Sequence, residues 1–115
     1  MTEAHCELTT KKCKPCEGVI APLDRAKILE LMKQLHSGWT LSEDSKEITR
    51  VFNFANFFET MAFVNACAWI AHRENHHPDL EAGYNYCQVK YSTHAIDGLS
   101  ENDFICAAKV DELVA

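Results

Sequence analysis

Four of the six histidines in this 115-residue chain fall between positions 72 and 94. They are His72, His76, His77 and His94. Because imidazole has an unperturbed pKa of about 6.5, it can give and take protons at neutral pH. Taken singly, each histidine fits a polar surface or capping residue equally well. Their convergence favours general acid–base catalysis, which is typically worth about 10²–10⁴ in rate.

A metal site is the alternative interpretation of the same residues. His72 and His76 are four positions apart, which predicts that they share one face of a helix. With a third histidine from a strand they could form an open three-histidine zinc site. The Glu between them stands at the wrong position for the H-E-x-x-H metalloprotease motif. From these residues alone, the zinc site remains an open alternative.

A second candidate is the CxxC pair formed by Cys13 and Cys16. No second CxxC completes a zinc ribbon, and no predicted strand precedes the pair to make a thioredoxin-like site. We interpret it as part of a reduced leader without a role, with metal capture or oxidation as alternatives. The N-terminus lacks the apolar core of a signal peptide, which predicts a cytoplasmic protein with free thiols. Three further cysteines fall in patterned segments and are expected to be buried: Cys67, Cys87 and Cys106.

Composition excludes several classes of partner. Hydrophobic residues make up 47% and charged residues 24%, as in a soluble single domain. The net charge is −6, and the basic cluster is confined to Lys11, Lys12 and Lys14, so direct nucleic-acid binding is not expected. The longest apolar region, 52–70, is interrupted by polar residues, so no membrane span is expected.

The first half of the chain predicts a leader, a helix and a hairpin. Residues 1–21 are polar and aperiodic and are predicted to be a leader, with a single domain over 22–115. A helix is predicted from about 23 to 36, with Asp24 near its start, Gly38 past its end, and an apolar stripe of Ile28, Leu31, Met32 and Leu35. Alternation then predicts strands at 39–42 and 46–54 around a turn at 43–45. Ile48, Phe52 and Phe54 share the inner face, with Arg50 as an exception.

The second half repeats this order. A helix is predicted from Asn56 to about Asn75, with its stripe at Phe57, Met61, Val64, Ala68 and His72. Pro78 ends it and places His76 and His77 at a stiff corner. Strands around Leu80–Tyr84 and 87–93 form a second hairpin, and a last helix runs from Ser100 to about Val114 with Asp103 as a capping-box partner. The order α-β-β-α-β-β-α predicts a two-layer α+β fold, with a four-stranded antiparallel sheet and three helices on one face.

The motif around the histidines is longer than the histidines themselves. It comprises His76-His77-Pro78-Asp79, Tyr84-Asn85, Ser92-Thr93-His94, and Gly98-Leu99-Ser100 with Asp103. In order and spacing it resembles the pterin-4a-carbinolamine dehydratase family, and the leader is similar to that of bacterial members. The resemblance covers about residues 23–113, and the predicted order of elements agrees with the family's fold.

The resemblance implies a reaction. Aromatic amino-acid hydroxylases leave a tetrahydropterin with a hydroxyl at C4a, and the family removes water from it to give quinonoid dihydropterin. No metal, cofactor or covalent nucleophile is needed. His76 and His77 match residues that would protonate the leaving hydroxyl and orient the pterin, and His94 would be the partner base. Pro78 would fix the corner, Thr93 would support the site, and Asp103 would orient a histidine and stabilise its protonated form, or simply cap the last helix.

One position departs from the family's pattern. The residue four before the paired histidines is commonly Glu, and here it is His72. Both could hydrogen-bond to His76, but only a carboxylate would stabilise an imidazolium. The resemblance also implies a homodimer or tetramer, formed through an edge strand or the apolar second helix, and a functional link to an aromatic amino-acid hydroxylase. A coactivator or other protein-interaction module with the same fold is the alternative function.

Overall fold

In the computed structural model, which describes residues 8–14 and 21–115, the elements after residue 24 follow the predicted order. The α+β fold is confirmed. The elements are α1 Arg25–Met32, β1 Thr40–Leu41, β2 Ile48–Asn53, α2 Phe57–Glu74, β3 Asp79–Ala82, β4 Tyr86–Tyr91 and α3 Glu101–Glu112. Residues 8–10 are also helical.

The four strands form one antiparallel sheet in the order β1-β2-β4-β3. The central pair is β2 and β4, with Ile48 opposite Tyr91 and Asn53 opposite Tyr86. Because side chains alternate along a strand, one face of this pair carries the buried set. Its buried members are Ile48, Phe52, Cys87, Val89 and Tyr91. The helices cover this face, and the predicted burial of Cys67, Cys87 and Cys106 is confirmed.

Helix α1 begins as predicted but ends early. The Asp24 side chain accepts a hydrogen bond from the Lys27 N–H at 2.8 Å, which confirms its position as the cap. The helix ends at Met32 rather than near 36, and the chain continues in tighter turns that keep Leu35 buried. The His36 N–H donates to Asp111 Oδ2 at 3.1 Å, so it is not used to extend the helix.

The predicted apolar stripe of α2 is wrong, although its ends are right. Asn56 caps the helix by accepting from the Glu59 N–H at 2.9 Å, and Asn75 ends it in the left-handed conformation. The buried residues are Thr60, Phe63, Cys67 and Glu74, whereas the predicted stripe is exposed or half-buried. Thr60 can face inward because its hydroxyl lies 3.0 Å from two backbone carbonyls, those of Asn56 and Tyr84.

The exceptional Arg50 of β2 has a buried partner. Its guanidinium bonds to Asp111 Oδ1, which also accepts the Trp39 indole N–H at 2.8 Å. The carboxylate of Asp111 is buried and joins the end of α3 to β2 and to the chain after α1. A charge on the inner face is tolerated because it is paired and hydrogen-bonded.

Residues 8–14, which the sequence placed in the leader, pack against the domain. Leu8 is buried in the main hydrophobic core, and Cys13 packs against that core. Within the described ranges no helix combines the length and apolarity that a membrane crossing requires.

Candidate active site

A pocket of about 510 Å³ opens where the end of α2, the end of β4 and the start of α3 meet. Its volume falls in the range of small-molecule sites. His76, His77 and His94 all line it, together with Thr93. The structure therefore brings these four predicted residues to one cavity.

The end of α2 sets the positions of His76 and His77. Asn75 has φ 51° and ψ 42°, so the helix ends there. The His76 N–H still donates to the Ala71 carbonyl at 3.2 Å, which ties its backbone to the last turn. Pro78 restricts the conformation of His77, whose side chain is exposed at the pocket. The stiff corner predicted from the sequence is thus present.

His76 is held by a buried carboxylate. Its Nε2 lies 2.6 Å from Asp103 Oδ1, and the Asp103 side chain is fully buried. Since an ionised carboxylate only accepts hydrogen bonds, the proton of this bond belongs to Nε2. The second ring nitrogen, Nδ1, is then left for a reaction partner. A hydrogen bond from one ring nitrogen to a carboxylate fixes the tautomer of a histidine in this way.

The other oxygen of Asp103 anchors the carboxylate. Oδ2 accepts from the Thr93 hydroxyl at 2.7 Å and from the Ser100 N–H at 3.0 Å. Because Thr93 gives its proton to Asp103, the Ser100 hydroxyl, 2.8 Å away, donates to Thr93. The predicted pairing of Ser100 and Asp103 at the start of α3 is confirmed. Asp103 therefore caps the helix and contacts His76 with the same carboxylate.

An aromatic ring lies against His76. The rings of His76 and Tyr91 are nearly parallel, 9° apart, with centroids separated by 6.0 Å. Burial, and the nearby cysteines and Asp103, raise the pKa of Tyr91 well above its ordinary value, so this residue stays neutral. Its hydroxyl has no hydrogen-bond partner among the described residues.

His94 lines the pocket from a different element of the fold. It begins a single 3-10 turn, His94–Ile96, directly after Thr93. Thr93 and Gly98 pair across this loop, with the Thr93 N–H donating to the Gly98 carbonyl at 2.8 Å. The loop is thereby closed at its base, and the exposed His94 side chain is carried on a short, fixed frame.

His72 does not lie with the other histidines. It is exposed on α2, where its ring is 5.4 Å from that of Trp69, and it is not among the described residues that line the pocket. The predicted helical face shared with His76 does not form, because α2 ends at Glu74 and His76 lies beyond it. Asp103, from another helix, is the partner of His76.

The metal and thiol alternatives can be placed as well. Over residues 8–14 and 21–115 no three His, Cys, Asp or Glu side chains are grouped so that they could hold a metal ion. Cys13 lines the pocket with its Sγ 3.5 Å from that of Cys106, and both are free thiols. Cys16 lies outside the described residues.

Sequence reasoning missed the wall formed by residues 12–14. Glu74 and Asn102, both buried, hold this segment against the domain. Burial raises the pKa of Glu74, but hydrogen bonds from the Cys13 N–H and from Lys109 more than offset it, so the pKa is lowered overall. One signal was available: an acidic residue in the last turn of a helix opposes the helix dipole and needs a partner.

Comparison with known proteins agrees with the geometry. The family model described as pterin 4 alpha carbinolamine dehydratase matches residues 21–113. Provisionally named pterin-4-alpha-carbinolamine dehydratases are similar along nearly the whole chain. That of Nitrosomonas europaea is 59% identical over 94% of both chains, and that of Nitrosospira multiformis is 61% identical over 93% of this chain and 92% of the other.

Two solved structures share the fold. One is a transcriptional coactivator/pterin dehydratase from Brucella melitensis, with a TM-score of 0.77 and 29% identity over 82% of this chain and 99% of the other. The second is a pterin dehydratase-like protein described as a RuBisCO assembly factor of the alpha-carboxysome. Its TM-score is 0.60 at 23% identity, over 70% of this chain and 93% of that one, so it supports the fold alone. With the family model and these relatives in agreement, the chain belongs to the pterin-4a-carbinolamine dehydratase family.

Proposed function

We propose that this protein removes water from 4a-hydroxytetrahydropterin and releases quinonoid dihydropterin. One observation carries the proposal: a buried Asp103–His76 pair opens into a pocket that two further histidines share. In this reaction the C4a–O bond breaks as a ring nitrogen's lone pair forms a new double bond. A proton must reach the leaving oxygen, and another must leave the ring system. Positioned imidazoles can carry out both transfers.

The three histidines differ in surroundings, and this supports a division of roles. His76 is largely buried, and its Nε2 is committed to Asp103, which would stabilise the imidazolium form. It is suited to deliver a proton from Nδ1 to the departing hydroxyl, with its neighbour His77 sharing that task and orienting the pterin. His94 is exposed on a different element and would accept the proton that leaves the ring. The function requires no metal or cofactor, and pterin is the substrate.

Self-association is part of the proposal. Large apolar side chains are exposed along α2, among them Phe57, Phe58 and Trp69, of which Phe58 is 84% exposed. Every residue of the edge strand β3 is exposed as well. A monomer rarely leaves such an apolar face uncovered. We propose a homodimer or tetramer that uses the α2 face, in the cytoplasm, serving an aromatic amino-acid hydroxylase.

A protein-interaction module is the second candidate, and the same exposed α2 face favours it. The two functions separate in a stopped-flow measurement of the decay of freshly generated 4a-hydroxytetrahydropterin, with chelator-treated protein. Acceleration over buffer that disappears in His76→Ala supports the dehydratase. His36→Ala is the control, because His36 is a histidine that lies outside the pocket. No acceleration by folded wild type would refute the enzyme and leave the interaction module.

A further inference from the structure

The mouth of the pocket is cationic, although the protein carries a formal net charge of −6. Lys12, Lys14 and Arg73 line it, and Glu74 is the single carboxylate among the described lining residues. The carboxylate of Glu74 is already paired, since the Lys109 ammonium lies 3.3 Å from one of its oxygens and the Cys13 N–H donates to the other. Three exposed basic residues therefore line the site.

Buried side chains fix the segment that carries the two lysines, residues 11–14, which we call the strap. The Cys13 N–H donates to Glu74 Oε1 at 2.9 Å, and the Lys14 N–H donates to Asn102 Oδ1 at 3.0 Å. Asn102 also donates back to the Lys14 carbonyl. Because these anchors are buried, the backbone of the strap is held at the pocket wall.

The ammonium of Lys12 is held at the end of α2. The Lys12 ammonium donates to the backbone carbonyl of Arg73 at 3.1 Å, which places it beside the last turn of α2. Exposed basic side chains that line one opening attract an anionic group that enters it. The pterin ring is neutral near pH 7 and does not require such an anion site. The substituent that extends from the ring is the part of a pterin that can carry negative charge.

We propose that the strap and Arg73 select pterins whose side chain ends in an anionic group, a phosphate or a carboxylate. This inference rests on the dehydratase function proposed above and names the class of substrate. The three histidines would act on the ring, while the cations of the mouth hold the tail. Lysine and arginine both bind phosphate and carboxylate groups through charge-assisted hydrogen bonds.

The test compares stable 7,8-dihydropterins by their fluorescence on binding. The probes are one with a neutral polyhydroxypropyl tail, one with the same tail phosphorylated, and dihydrofolate, whose tail ends in carboxylates. We expect at least one anionic probe to bind about tenfold tighter than the neutral one at low salt. The preference should shrink as ionic strength rises from about 0.01 M to about 1 M, which shortens the Debye length from ~30 to ~3 Å. The relative affinities of the two anionic probes tell phosphate from carboxylate.

Substitutions show which residues cause the preference for anionic probes. The double variant Lys12→Met with Arg73→Met should bring the anionic and neutral affinities to within about twofold of each other. Lys11→Met is the matched control, because Lys11 lies on the strap but points its ammonium to Glu101, 3.5 Å away, and does not line the pocket. It should keep the full preference.

The possible outcomes distinguish failure of the anionic-tail proposal from failure of the dehydratase proposal. Equal binding of all three probes at low salt, with the neutral carbinolamine still turned over, overturns the anionic tail and leaves the dehydratase intact. Loss of preference in Lys11→Met as large as in the double variant would also overturn it, since general surface charge would then suffice. If no probe binds and no carbinolamine is turned over, both proposals fail together.

Discussion

Replacing Asp103 by Asn should reverse the tautomer of His76. The Ser100 N–H can only donate, so the amide oxygen of the new side chain must take the place of Oδ2. Its NH₂ group then faces His76 Nε2, which must become an acceptor, and the ring proton moves to Nδ1. The protonation state of Nδ1, the nitrogen proposed to act on the substrate, is thereby changed. The negative charge that stabilises an imidazolium is also lost.

The magnitude follows from the geometry. Two unit charges about 4 Å apart interact by about 4 kcal/mol at an effective dielectric of ~20, which is an upper limit for the lost stabilisation. Allowing for partial compensation, we expect the barrier to rise by about 2.7 kcal/mol, a fall in kcat of about 10²-fold. KM should change little, because Asp103 is buried and does not line the pocket. Stopped-flow decay of the carbinolamine gives both constants.

A control separates the catalytic contact of Asp103 from its capping contact. Ser100→Ala removes a cap hydroxyl but leaves the His76–Asp103 bond in place. It should lower the free energy of unfolding by about 1 kcal/mol and leave kcat within about twofold of wild type. Long-range ¹H–¹⁵N spectra should show the proton of His76 on Nε2 in wild type and on Nδ1 in Asp103→Asn. Equal kcat in wild type and Asp103→Asn, with the tautomer reversed, would refute the reasoning.

Three further predictions address stability and assembly. Asp111→Ala should lower the free energy of unfolding in urea by about 3–5 kcal/mol, because it leaves a guanidinium and an indole N–H without their buried acceptor. Lys46→Met, which breaks an exposed ion pair, should lower it by at most about 1 kcal/mol. The pKa of Glu74 is lowered on folding, so its ionised form stabilises the protein above the ordinary value of 4.5, and this stabilisation is lost as pH falls through the lowered value. Glu74→Gln should therefore lose stability at pH 7, and the loss should shrink as pH falls through the lowered pKa, as thermal unfolding over a pH series would show. Phe58→Lys should dissociate the assembly in light scattering without unfolding it, and an unchanged mass would exclude the α2 face as the interface.

The order of elements could be predicted because each one has a local signal. Asn56 and Ser100 stand at helix starts, Pro78 follows a helix end, and the alternation of residues 87–93 is nearly complete. Such signals depend on a few neighbouring residues, so a single sequence contains them. The stripe predicted for α2 was wrong because no local signal shows which side of this helix is buried. Its exposed face also carries large apolar residues, and contacts distant in sequence set which side faces the sheet, among them those of Thr60 with the carbonyl of Tyr84 and of Phe63 with Phe52.

In the candidate site, too, some residues could be predicted from local signals and others could not. His76, His77 and His94 could be found because they fall at predicted ends of elements, where side chains reach a cavity. The partner of His76 could not be chosen from spacing. His72 is near in sequence but separated by the end of the helix, while Asp103 is 27 residues away and reaches His76 because α3 starts beside that end.

The strap shows why polar segments are difficult to interpret from sequence alone. Three lysines and a CxxC in an aperiodic stretch fit a solvated leader, since nothing local requires them to pack. What holds residues 12–14 is a pair of buried side chains 61 and 88 positions away, Glu74 and Asn102. Neither residue stands out in the sequence of its helix, yet the buried side chain of each one hydrogen-bonds to the backbone of the strap. A buried polar residue at the end of a helix therefore requires a partner, and here that partner brings two lysines to the mouth of the active site.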